Sequence, residues 1–125
     1  MMKDRSIYIR HIWDCMQWIQ SYIADGKEAF FTDHKTQDAV IRNIEIIGQA
    51  VKDMGVETLT PVCATIPWRQ IADTRNFLAH QYLGVDMALV WNIIEHDLPQ
   101  LQICMILIAK AEGIDLDPLD RQPDA

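Results

Sequence analysis

The chain has 125 residues, a formal net charge of -7 and an apolar fraction of 50%. That length is close to one modal domain and excludes separate cofactor and substrate domains, while the apolar content is ample for a buried core. Charged residues at 23% with five Gly and five Pro exclude a low-complexity or disordered chain. Charges cut the apolar stretches well short of the ~20 residues a bilayer span needs. No basic segment followed by an apolar one opens the chain, so the expectation is a cytoplasmic protein with no membrane association. The acidic balance argues against a protein that coats nucleic acid. It is unevenly spread, however: residues from Ala111 onward carry -4, and residues 1–110 carry -3. A local basic site therefore remains open to the body of the chain.

Helical periodicity dominates. From Asp4 to Ala24, the residues Tyr8, Ile12, Cys15, Ile19 and Ile23 form one apolar stripe, with Asp25-Gly26 as its stop. Thr32-Asp33 offers an N-cap for a second helix to about Met54, with the stripe Val40, Ile44, Ile47, Val51 and Met54. Gly55 closes it. Val56–Ile66 is irregular, with Pro61 as a breaker, and reads as a short helix or a turn and loop. Pro67 suits a first helical turn, and a third helix follows from Trp68 to about Gln81. Gly84 ends it, and Asp86 caps a fourth helix running towards Glu112, which Pro99 should kink or divide. No strand pattern and no internal repeat occur.

These elements predict an all-α antiparallel bundle of four to five helices over residues 1–112. An acidic, Pro-containing, flexible tail over residues 113–125 would follow. Three cysteines, Cys15, Cys63 and Cys104, lie among apolar neighbours without any CxxC, and the expectation is buried thiols in a reducing compartment. His11, Asp14 and Cys15 are close in sequence, but two ligands on one helix face make a poor metal site, and no metal is expected. His34 reads as a helix-start residue and His96 as a surface residue beside Asp97. Of the four tryptophans, Trp18 is the one expected to be exposed; Trp13, Trp68 and Trp91 are expected in the core or an interface.

The segment Ile66–Tyr82 carries more chemistry than packing requires, with Arg75, Asn76, His80 and Tyr82 within eight positions and a local charge of +1. On a helix Asn76 and His80 share a face, whereas Arg75 and His80 are about 140° apart and about 7.5 Å along the axis. A helix end or a facing second subunit would bring them together. Histidine exchanges protons near neutral pH, and arginine presents a donor fork matched to phosphate oxygens. The pair suits phosphodiester cleavage, with His80 as base and Arg75 stabilising charge on the phosphoryl group. On composition alone, an ion-pairing arginine and a capping histidine are the commoner origin of such a pair.

The run Arg75-Asn76-Phe77-Leu78-Ala79-His80-Gln81-Tyr82 resembles the RX4HXY motif of HEPN-fold toxins of the HepT-like ribonuclease family. The likeness extends to Asn43–Ala50, Pro67–Ala72, Gly84-Val85-Asp86, Val90-Trp91 and Leu98-Pro99, covering roughly residues 5 to 110. Gln49 departs from the pattern, standing where the family commonly has an acid.

The resemblance implies a homodimeric, metal-independent endoribonuclease, the toxin of a toxin–antitoxin pair, needing no cofactor. It implies Arg75 and His80 as the catalytic pair, with Asn76 as their polar, phosphate-binding neighbour. It also implies Tyr82 as the tyrosine that a minimal nucleotidyltransferase antitoxin modifies with AMP, which would make the chain a nucleotide-bearing phosphoprotein. The alternatives are a non-catalytic HEPN module that binds a nucleotide or a protein partner, and a purely structural helical domain.

Overall fold

The structure is a computed structural model that describes residues 4–79, 84 and 86–116, with the backbone alone for 75–79. Among these residues there are helices and connections and no strand. None of the described helices is long and apolar enough to cross a membrane.

Helix α1 spans Arg5–Tyr22, and the Asp4 carboxylate accepts from the Ser6 amide at 3.0 Å to cap it. Its buried face is Ile9, Ile12, Cys15, Met16 and Ile19, with Tyr8 and Ile23 at the margin. A short helix, α2 (Lys27–Thr32), follows Gly26, whose φ of 96° makes the corner. Its six residues are too few to display a helical period in the sequence. Phe30 secures α2: it is fully buried and packs against Trp91 with ring centroids 5.3 Å apart. The buried side-chain amide of Gln37 donates to the Phe30 carbonyl at 2.9 Å, so the end of α2 is pinned to the next helix.

Helix α3 (His34–Met54) starts where expected. Asp33 caps it, accepting from the Lys35 amide at 3.0 Å and the Thr36 hydroxyl at 2.9 Å. Val40, Ile44, Ile47 and Val51 are buried as the periodicity predicts, and Gly55 ends the helix at a φ of 92°. Helix α4 (Val56–Leu59) is a single turn that buries Leu59. A strap from Thr60 leads to Pro67 and helix α5 (Trp68–Ala79). Asp86 then caps α6 (Met87–Asn92), accepting from the Ala88 amide at 2.9 Å.

The helix expected from Asp86 to Glu112 is divided, but five residues or so earlier than Pro99 itself. Ile93–Asp97 form a π-helical turn, and α7 runs from Leu98 to Glu112. Proline has no amide hydrogen, and its ring crowds the carbonyl one turn earlier, here that of Glu95. The wide turn relieves this: the Leu98 amide bonds to the carbonyl of Ile93, five residues back.

Helix α3 is the central element and packs most extensively on α5 and α1. Helix α7 lies antiparallel to α1. Gln20 bonds to Gln102 at 2.7 Å near one end, and Arg5 pairs with Glu112 at 3.5 Å near the other. The chain stays on the bundle after Gly113. The Ile114 amide bonds to the Ala109 carbonyl at 2.8 Å, Ile114 and Leu116 pack on the core, and the Asp115 carbonyl accepts from Arg10 at 3.2 Å. The remainder of the expected tail lies outside the described residues.

The expectation of three thiols is overturned for two of them. Cys63, in the strap, and Cys104, on the inner face of α7, form a disulfide across Cα atoms 6.3 Å apart. Sequence neighbours describe each cysteine's polarity and say nothing of the distance between two elements 41 positions apart. Cys15 is a free, buried thiol, as expected, and burial pushes its pKa up to about 12.

Candidate active site

Helix α5 carries the first half of the sequence motif, and its entrance is fixed at several points. The Trp68 amide bonds to the Ile66 carbonyl at 2.8 Å, and Ile71 reaches the Pro67 carbonyl at 3.0 Å. The Trp68 indole is buried, and its Nε1 donates to the Cys63 carbonyl at 3.0 Å. Trp68 and Ala72 face the core, whereas Arg69, Gln70 and Asp73 are exposed.

Arg75 and Asn76 occupy consecutive positions in the last described turn of α5, and their side chains are not described. His80 follows Ala79 directly; it and Tyr82 lie outside the described residues. The helix thus carries the backbone of Arg75 and Asn76, which stand five and four positions before His80 in the sequence. The chain emerges again at Gly84, with a φ of 113°, and at the Asp86 cap of α6. Gln49, the departure from the family pattern, is half-buried on α3 and donates to Asp53 at 2.8 Å.

Beside the motif helix is a small cavity of about 30 Å³, room for roughly one water. It lies between α3, α5 and the π-helical turn. Ile44 and Ile47 form one wall, Gln70, Ile71 and Thr74 another, and Asp97 brings a carboxylate to it. Burial holds the Asp97 carboxyl above its ordinary range, partly offset by the adjacent His96. Sequence reading did not single out Asp97. The available signal was its place two residues before Pro99, where the helix had to widen. His96 is exposed, as expected.

Elsewhere, Trp18 is 49% exposed and stacks on Tyr22 with centroids 6.3 Å apart, while Trp68 is buried and Trp91 half-buried. The Trp91 indole donates to Glu95 at 2.7 Å. His11 and Cys15 gather no third ligand: among the described residues no group of three His, Cys, Asp or Glu side chains is placed to hold a metal.

A family model described as "Ribonuclease HepT-like" matches residues 12–108, from within α1 to within α7. The chain belongs to the HepT-like ribonuclease family. Its HepT-like relatives include a Methanocaldococcus jannaschii protein named as a γ-glutamylcyclotransferase and candidate RNase, 42% identical over 103 residues. That alignment takes in 82% of this chain but 46% of the longer relative. A Thermococcus cleftensis protein named "Probable ribonuclease HepT" is 36% identical over 105 residues, covering 82% of this chain and 93% of the relative. A third, a candidate RNase of Caldanaerobacter subterraneus, is 33% identical over 102 residues, covering 81% of this chain and 90% of its own. No solved structure matches the chain significantly.

Proposed function

We propose that this protein is a metal-independent endoribonuclease, the toxin of a toxin–antitoxin pair. The observation that carries this reading is the run Arg75 to Tyr82 at the end of α5, in a chain matched by the HepT-like family model over residues 12–108. His80 takes the proton of an RNA 2′-hydroxyl, whose oxygen attacks the adjacent phosphorus. Arg75 stabilises the charge that develops on the phosphoryl oxygens, and Asn76 holds the phosphate or the imidazole. The 5′-oxygen leaves with a proton from water or from a second imidazole. The other product is a 2′,3′-cyclic phosphate.

The protein acts as a homodimer in this reading. A minimal nucleotidyltransferase antitoxin silences the enzyme by transferring AMP from ATP to the Tyr82 hydroxyl. The deciding experiment is RNA cleavage by the purified full chain with and without EDTA, beside His80→Ala. The native protein should cut RNA equally in both conditions, and His80→Ala should lose roughly 10²-fold or more of the rate with its helical content unchanged. Undiminished cleavage by the variant would sink the mechanism.

A further inference from the structure

The Cys63–Cys104 bond occupies a position that packing alone does not explain. It forms the floor of an open groove of about 370 Å³ lined by Val62, Thr65, Ile66, Gln100, Ile103 and Leu107. The two residues differ in exposure: Cys104 is 2% exposed, whereas Cys63 is only partly buried. The same Cys63 supplies the carbonyl that receives the Trp68 indole, at the first residue of α5. The bond also closes a loop between positions 63 and 104 that contains the whole of α5 and the run from Arg75 to Tyr82. A covalent tie at this point therefore acts on the strap from which the motif helix starts.

We propose that Cys63–Cys104 is a reversible thiol–disulfide exchange site, reached through Cys63 from the groove by low-molecular-weight thiols and disulfides, whose state sets how firmly α5 is held. Exchange requires in-line approach of a thiolate to a sulfur, and Cys63 is the less buried of the two cysteines that line the groove. In reduction, the incoming thiolate bonds to the Cys63 sulfur and Cys104 leaves as a thiolate that takes up a proton. A second thiol then attacks the mixed disulfide and frees Cys63, so two external thiols become one external disulfide. In oxidation, the Cys63 thiolate attacks the external disulfide and releases one thiol. Cys104 then displaces the second and closes the bond. Cys15, buried and with its pKa pushed up to about 12, takes no part.

Reduction leaves the Trp68–Cys63 hydrogen bond but unties its acceptor from α7. The strap then gains freedom, and α5 opens more often. Given the ribonuclease reading, on which this consequence rests, the reduced protein cleaves RNA more slowly because its catalytic pair is held less firmly.

The test uses the full chain, exposed in its native state to oxidised glutathione or to dithiothreitol, then alkylated in denaturant and weighed intact. The oxidised sample should carry one alkyl group, on Cys15, and the reduced sample three. Amide exchange over α5 should be faster in the reduced form, and Cys63→Ser should match the reduced form whatever the reagent. RNA cleavage should fall by roughly tenfold on reduction. Three alkyl groups after oxidised glutathione, or equal α5 exchange in two forms whose bonding is verified, overturns the proposal. Absence of RNA cleavage in both forms, with the exchange difference intact, removes the ribonuclease reading and upholds the tether.

Discussion

The indole of Trp68 donates a 3.0 Å hydrogen bond to the carbonyl of Cys63, joining the first residue of the motif helix to the strap that the disulfide binds to α7. Two contributions act at this joint, the hydrogen bond and the burial of the ring. A part-buried hydrogen bond contributes about 1 kcal/mol, whereas removing a buried large aromatic costs about 3–5 kcal/mol. Burial should therefore dominate.

Trp68→Phe should thus cost clearly less stability than Trp68→Ala, measured as urea midpoints at constant slope. The two variants losing equal stability would assign the anchor to the hydrogen bond. Because α5 starts at Trp68, both variants should also expose α5 amides to exchange before those of α3.

Asp97 gives a pH-dependent prediction. Burial raises its folded pKa above the unfolded value of 3.8, so the folded protein binds that proton more tightly than the unfolded chain does. The contribution is present in full below 3.8 and is lost as pH rises through the folded value. Asp97→Asn, neutral like the protonated acid, keeps it at every pH. The variant should therefore be the more stable of the two at neutral pH, and its advantage should disappear on acidification below 3.8. The carboxyl is only partly buried, so the gain is at most a few tenths of a kcal/mol. Thermal melts of both proteins across this range would show it; an advantage that grows on acidification would contradict the burial argument.

These two sites differ in how far the sequence revealed them. Helices α1 and α3 were legible because each has a capping aspartate, Asp4 or Asp33, and an apolar stripe long enough to display its period. Helix α2 was not, since its one decisive contact is Phe30 against Trp91, some sixty positions away. Pro99 announced a break but not its form, because the wide turn is decided by where the preceding carbonyls can find donors. Arg75, Asn76, His80 and Tyr82 were legible as a pattern of residue types at fixed spacing. The setting of Asp97 depends on three elements meeting and the Cys63–Cys104 bond on two, and local periodicity carries no distance between elements.

The homodimer of the proposed reading has its own test. Light scattering of the full chain at working concentration should give twice 14.4 kDa, and a mass of 14.4 kDa would remove the dimer from that reading.

Tyr82 separates the nuclease from its control. In the proposed reading its hydroxyl accepts AMP, which adds bulk and at least one negative phosphate two residues from His80. That charge repels the phosphates of an approaching RNA, and the nucleotide fills the space the substrate needs. Tyr82→Phe removes only the hydroxyl, so it should retain RNA cleavage while taking no AMP from the nucleotidyltransferase partner and ATP. Intact mass reads each AMP as a discrete increment, and cleavage by the same samples reads the consequence. The native chain should gain mass and lose activity together, whereas Tyr82→Phe should do neither. AMP appearing on the variant would place the acceptor elsewhere, and a modified native chain that still cuts RNA at the full rate would separate the modification from control.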